Sequence, residues 1–327
     1  MCPFMKNIYI AGSVAYDEIM DFPHHFKDYF HPEKLHQINV SFVVSDLAKH
    51  LGGITTNIAY ALRNTCNYYA DSKLWTLDSK PVIYPVAAVG RDGGELLDFF
   101  KKNNIDCTYI QKDEKLYTAT GKVITDKNDN QIWGFYYGAC VLNPKIETLN
   151  TKDEQFWVVS ATHEKPFSTA LRFVINNKLP YLFDPGMTLT WIKDALLKKG
   201  VMNAQYIIGN DYEIAMIEKR LGTTVKELVE KGINVITTLG EKGVKYDGVE
   251  KISMMVKAVK LKKVIDPTGA GDAWRGGFVG ALVAGKSLKE SLVMGNVMAS
   301  FAVEHVGTVE YSVDDVELKR RVKSITK

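Results

Sequence analysis

The chain has 327 residues, 41 of them Lys or Arg and 38 Asp or Glu, and its net charge of +3 gives no basis for a nucleic-acid surface. An apolar share of 46% beside 24% charged residues, with no low-complexity tract, excludes a disordered or fibrous chain and fits an enzyme-sized body with a buried core. The cysteines, Cys2, Cys66, Cys107 and Cys140, are scattered without paired spacing, which excludes a zinc or dithiol motif and fits a reducing, cytoplasmic setting.

Residues 8–11 read as a buried first strand, too short an apolar run for a signal peptide or a membrane span. Residues 54–64 follow as a helix, 82–89 as a strand and 94–102 as an amphipathic helix. Short apolar runs at 156–160, 181–183, 206–209 and 235–239 read as strands with helical stretches between them. This alternation predicts an α/β fold, a mostly parallel sheet covered by helices on both faces. Two stretches break the rhythm. Residues 37–44, and 118–137 with a turn at 126–130, read as strands and a hairpin outside the alternation. Near the end come a β-type run at 261–265, a helical run at 273–284 and a basic cluster at 318–323 that reads as a solvated helix face.

Between the last strand-like and helical runs lies Asp266-Pro267-Thr268-Gly269-Ala270-Gly271-Asp272-Ala273-Trp274. A glycine-rich turn opening a helix collects anions, because the first helical amides lack acceptors and carry the positive end of the macrodipole. Gly269 and Gly271 leave room for an oxyanion such as a phosphoryl group. Asp272 would repel that anion unless it has another task, and the obvious one is taking a proton from an attacking hydroxyl.

The nonapeptide resembles the C-terminal signature of the ribokinase-like (PfkB) family of sugar and nucleoside kinases. Further landmarks of that family occur in order: Gly12-Ser13-Val14-Ala15-Tyr16-Asp17, Gly52-Gly53 with Asn57, Asn210-Asp211-Tyr212-Glu213, and Thr238-Leu239-Gly240-Glu241-Lys242-Gly243. The resemblance runs from about residue 7 to 307. It implies one kinase domain over 1–327 with a small β-sheet lid built from segments near 36–45 and 117–138, acting as a monomer or homodimer on small molecules. It also implies ATP and Mg2+ as cofactors. Asp272 corresponds to the catalytic base, and the amides of Gly269, Ala270 and Gly271 stabilise the transferring group. Asp17, Gly52, Gly53 and Asn57 correspond to the substrate site, where a short carboxylate accepts from two neighbouring sugar hydroxyls. Asn210 and Glu213 match the motif that holds the magnesium and phosphate region, Glu213 through water, although a capped surface helix start carries the same letters. Thr238, Gly240 and Lys242 correspond to the nucleotide phosphate and ribose site, and Asn296 borders the adenine. Asp266 and Thr268 correspond to a monovalent-cation (K+) site in some members.

A rival motif follows closely. Gly280-Ala281-Leu282-Val283-Ala284-Gly285-Lys286-Ser287 fits the Walker A pattern, which needs a strand before it and a helix at its end. The preceding residues continue a helical period instead. Gly285 therefore reads as a helix stop and Ser287 as an N-cap with Glu290 three residues on.

For the acceptor, residues 12–20 with Phe22-Pro23, His36 and Asn39-Val40-Ser41-Phe42 resemble the bacterial adenosine kinase branch. The expected reaction is ATP-dependent phosphorylation of a nucleoside 5′-hydroxyl, adenosine to AMP. The alternative is a sugar kinase of the ribose or fructose type, and a non-catalytic ligand sensor is a third reading. Phe42 offers a purine an apolar face, or packs within the lid. Ile54-Thr55-Thr56, between the glycine pair and Asn57, departs from the smaller or charged residues of other members.

Overall fold

The computed structural model describes residues 6–30, 39–71, 80–128, 130–249 and 252–326. The chain enters through β1 (Asn7–Ala11), leaves it for β2 (Ala15–Asp21) and β3 (Asp46–Gly52), and returns through α1 (Ile54–Asp71). Then come β4 (Val82–Val89), α2 (Gly94–Lys102), β5 (Ile110–Lys112), β6 (Ala119–Thr125) and β7 (Gln131–Tyr136). The second half alternates: β8 (Gln155–Ser160), α3 (Glu164–Asn176), β9 (Tyr181–Asp184), α4 (Asp194–Asn203), β10 (Tyr206–Asn210), α5 (Asp211–Leu221), α6 (Val225–Glu230) and β11 (Asn234–Thr238). It closes with β12 (Val244–Gly248), β13 (Ile252–Val256), α7 (Ala270–Val283), α8 (Leu288–Ala302) and α9 (Asp315–Thr326).

Among the described residues these strands make two sheets, a nine-stranded one ordered β13-β12-β11-β10-β9-β8-β1-β4-β5 and a four-stranded one ordered β3-β2-β6-β7. Every strand pair of the large sheet is parallel except β11–β12 and β12–β13 at one edge, so β12 alone runs against the others. Period-two alternation splits its side chains between two cores. Ile8, Ile10 and Val158 face α1, α7 and α8, whereas Tyr9, Ala11 and Trp157 face α3, α4 and α5. Such two-sided burial is what the continuous apolar runs of the sequence encode. No helix among the described residues is long and apolar enough to cross a membrane.

The body strands fall within a residue or two of the sequence expectation and α2 matches at both ends, whereas α1, expected over 54–64, runs on to Asp71. Three expectations change. In the segment expected as strand 37–44, residues 37 and 38, like His36, lie outside the described residues, and 39–44 form no strand. The strand begins at Asp46 instead, because β2 ends opposite it at Asp21 and offers no partner further out. Residues 261–265 also form no strand: the amide of Ile265 bonds the Val303 carbonyl at the end of α8, and no strand lies alongside. Finally α7 starts at Ala270 rather than Ala273, because Gly269 enters it from a left-handed conformation with φ +76°. That moves Asp272 into the first helical turn.

Candidate active site

The carboxyl ends of β1, β8, β9, β10 and β11 open toward one side, and the chain places its polar landmarks there. Asp272 is the third residue of α7. Its Oδ2 accepts from the Asn57 Nδ2 at 2.8 Å, and Asn57 Oδ1 in turn accepts from the Thr308 hydroxyl at 2.7 Å. Asn57, expected at the substrate, is thus engaged with the carboxylate of Asp272. Thr308, which no motif singled out, holds the amide in the orientation that presents its N–H. Burial pushes the Asp272 carboxyl up to about 6, against the pull of Arg275 and the Asn57 hydrogen bond, while Asp184 and Asp17 add to the rise. A base poised near neutrality suits proton abstraction at physiological pH.

The turn before it is open to an anion. Among the described residues the amides of Gly269, Gly271 and Asp272 have no protein acceptor, whereas that of Ala270 is turned onto the Pro267 carbonyl at 3.2 Å. A side chain on Gly269 would meet Thr308 Cβ at 2.9 Å, and one on Gly271 would meet Arg275 Nη1 at 2.6 Å. Asp266 ties this turn to the neighbouring loop by accepting from the Thr268 amide at 2.8 Å and the Gly307 amide at 3.2 Å.

Asp17 lies on β2 opposite His50 of β3, and a Cβ on Gly52 would lie 2.1 Å from its Oδ2. Gly52 is the space that Asp17 occupies, and Gly53, at φ +87°, turns β3 into α1. Burial raises the Asp17 carboxyl to about 6, with His50 pulling it down and Glu310 and Asp266 pushing it up. Thr55 and Thr56 are fully buried, so the departure from the family pattern falls inside the body.

Phe42 packs edge-on against Phe22 and Phe26, and near Phe30 and Tyr29, beyond the end of β2. The strand from Asp17 to Phe22 covers about 17 Å, so this cluster is the tip of the small sheet rather than the surroundings of Asp17. The aromatics beside Asp17 are Trp133 and Phe135 of β7, both within 3.6 Å of where a Cβ on Gly121 would sit, as is Asp17 Oδ1. They are 53% and 45% exposed on that shared face. A hairpin over these residues was legible in the sequence; which face of it met Asp17 was not.

Asn210 caps α5 in a full capping box with Glu213: the Asn210 side chain accepts from the Glu213 amide, and Glu213 Oε2 accepts from the Asn210 amide, each at 2.8 Å. The capped helix start is therefore present, and Glu213 Oε1 is left over for water. Burial raises the Glu213 carboxyl, with the Asn210 hydrogen bond and Arg275 opposing it and Asp184 adding to it. Thr238 stands in register with Asn210, and Gly240 and Lys242 form the short turn just beyond. Asn296 is buried and saturated, accepting from Trp274 Nε1 at 2.8 Å and donating to the Val256 and Lys257 carbonyls. It ties α8 to α7 and β13. No group of three His, Cys, Asp or Glu among the described residues is placed to hold a metal ion. Magnesium bound chiefly by phosphates and water needs only a carboxylate or two, and the spare Glu213 oxygen meets that requirement.

Lys286 does not sit at a phosphate loop. It follows α7, and its Nζ lies 5.0 Å from the centre of the Tyr69 ring.

The pfkB family carbohydrate kinase model matches residues 13–315. The chain is a member of that family. A nucleoside kinase of Methanocaldococcus jannaschii is 28% identical over 306 residues, covering 93% of this chain and 92% of its own. The ligand-free structure of Burkholderia thailandensis nucleoside kinase superposes with a TM-score of 0.79 at 27% identity, covering 97% of this chain and 99% of that one. The same kinase in complex with inosine gives 0.78 at 26% identity, over 97% of each chain. This pfkB kinase thus shares the large mostly parallel sheet and the separate small sheet of those relatives.

Proposed function

We propose that this pfkB kinase transfers the γ-phosphoryl group of ATP to the 5′-hydroxyl of a nucleoside, with adenosine the first candidate. The observation that carries the reading is the Asp272 carboxylate, oriented by Asn57 in the first turn of α7 beside open amides. Asp272 takes the proton from the attacking hydroxyl, and the amides of Gly269 and Gly271 receive the charge that develops on the transferring group. Asp17 receives the ribose hydroxyls, and Trp133 and Phe135 flank the base. Magnesium, met by Glu213 through water, would neutralise phosphate charge, and Thr238, Gly240 and Lys242 line the nucleotide end of the cleft. Asp266 and Thr268 mark where a monovalent cation would bind. The nucleoside kinases among the relatives, one of them in complex with inosine, support the substrate class.

The test is ADP release measured with adenosine, inosine, guanosine, cytidine, ribose and fructose in parallel. Turnover with nucleosides well above that with ribose or fructose is expected, and the reverse ranking would move the chain to the sugar kinases. A 2′-deoxynucleoside leaves Asp17 short of one partner and should lose about 1.5–3 kcal/mol in kcat/KM against its ribo counterpart. Equal use of both would remove Asp17 from the ribose site.

A further inference from the structure

Arg275 lies one turn beyond Asp272, and its side chain is only 10% exposed. Its Nη2 donates to Asp184 Oδ1 at 2.6 Å, and Asp184, 3% exposed, takes the Ser160 hydroxyl on its other oxygen at 2.8 Å. Ser160 and Asp184 are register partners at the ends of β8 and β9, so the arginine is anchored to the sheet. Its Nη1 sits 2.6 Å from the position a Cβ would take on Gly271, against the inside of the anion-binding turn. Its Nε is buried without a protein partner among the described residues. A buried ion pair with an unmet donor is a poor choice for stability alone, since an apolar side chain of similar volume often does better.

We propose that Arg275, held by Asp184, is a positioning residue for phosphoryl transfer: it braces the Gly269–Gly271 turn from within and supplies a buried positive charge beside Asp272. The inference rests on the kinase reading above and concerns the same site. Arg275 faces carboxylates from three elements, Asp184 of β9, Asp272 of α7 and Glu213 of α5. Asp272 is faced by Arg275, by Asp184, by Asp17 of β2 and by the buried Tyr311 that precedes α9, with the neutral Asn57 as its hydrogen-bond donor. Within this set Arg275 is the charge that favours ionised Asp272, and Asp184 opposes it directly while also occupying the guanidinium. The two residues of the pair therefore act on Asp272 with opposite signs.

The experiment is the pH dependence of kcat/KM and kcat, followed by ADP release with the best nucleoside, for the parent, Arg275→Gln, Arg275→Lys and Asp184→Asn. Arg275→Gln should move the acid limb of kcat/KM upward by about one pH unit or more. Asp184→Asn should move it downward. Arg275→Lys keeps the charge but loses the planar fork, so its acid limb should stay near the parent while its plateau kcat falls. Arg275→Gln should lower plateau kcat about tenfold or more with nucleoside KM changed less than about threefold. Acid limbs that stay in place, or shift in the same direction in the Gln and Asn variants, would overturn the proposal. If Arg275→Gln does not fold, a parent-like limb in Arg275→Lys with a lowered limb in Asp184→Asn supports it, and any other pairing overturns it. A parent that releases no ADP with any acceptor removes the kinase reading itself, whereas an active parent with unmoved limbs removes this inference alone.

Discussion

Two glycine-rich segments flank the same helix, and only one of them is fit to hold a phosphoryl group. At the start of α7, Gly269 turns left-handed at φ +76° and hands the chain to amides that face outward with the positive end of the helix. At its end, Gly285 does the same at φ +71°, but what it terminates are carbonyls, the negative end, which repels phosphate. The two glycines and the serine of the second motif each have a local task. Gly280 lets α7 press onto α1, where a Cβ would meet Thr65 Cγ2 at 2.6 Å. Gly285 stops the helix, and Ser287 caps the next in a box with Glu290. The difference teaches that a phosphate loop needs open backbone ahead of uncapped helical amides: residues 280–283 are still helix, and the start of α8 is already closed by the Ser287–Glu290 box, which the spacing of glycines does not reveal.

Removing the proposed base attacks this contrast most directly. Asp272→Asn should retain ATP and nucleoside binding and lose kcat by roughly 10²–10⁴-fold, as general-base removal does. Turnover within a few-fold of the parent would end the assignment. Next in size is the matched pair Gly269→Ala and Gly285→Ala, since both glycines are left-handed but only Gly269 is crowded, by Thr308. Both should cost about 1 kcal/mol or more in stability. Only Gly269→Ala should also cut turnover, by about tenfold or more, because the anion-binding amides move with it. Equal kinetic effects at the two ends would erase the distinction.

Charge at the N-terminal site should also be visible in stability. Asp17 and Asp272 are each raised to about 6 in the fold from an ordinary value of 3.8. The folded state therefore binds these protons more tightly than the unfolded chain. The sign follows: their contribution favours folding fully below about pH 4 and is lost as pH rises through about 6. In the absence of ligand, Asp272→Asn should raise stability at pH 7 by about 1–2 kcal/mol, allowing for the solvent that still reaches this largely buried group. That gain should shrink toward pH 4. Thermal melts across this range check it, and a constant difference would contradict the buried-charge account. The smallest effect belongs to the second motif: Lys286→Ala should leave ATP KM and kcat within about twofold and cost at most about 1 kcal/mol, the worth of its contact with Tyr69. A collapse of ATP binding in that variant would revive the phosphate-loop reading.

Much of the body was legible because its cues are local. The 3.6-residue and two-residue periods, the Ser287 box and the positive-φ glycines are each decided within a turn or a strand. The lid was harder. Residues 39–44 have strand-like letters but face the end of β2, so the strand went to Asp46–Gly52 and Phe42 went to the aromatic tip. Strand pairing is settled by what lies opposite, which a single run of residues does not record.

The amino-acid sequence by itself determined the α/β alternation, the glycine turn at residues 266–272 that opens α7 and the capped helix at Asn210–Glu213, because each depends on backbone preferences of neighbouring residues. Tertiary structure alone decided who orients whom. Asn57 reaches Asp272 across 215 positions, Thr308 reaches Asn57 across 251, and Arg275 reaches Asp184 across 91. These pairs are created when α1, α7 and the strand ends converge on one side of the sheet. No local preference encodes such a meeting, since it arises from the packing of both cores against the sheet.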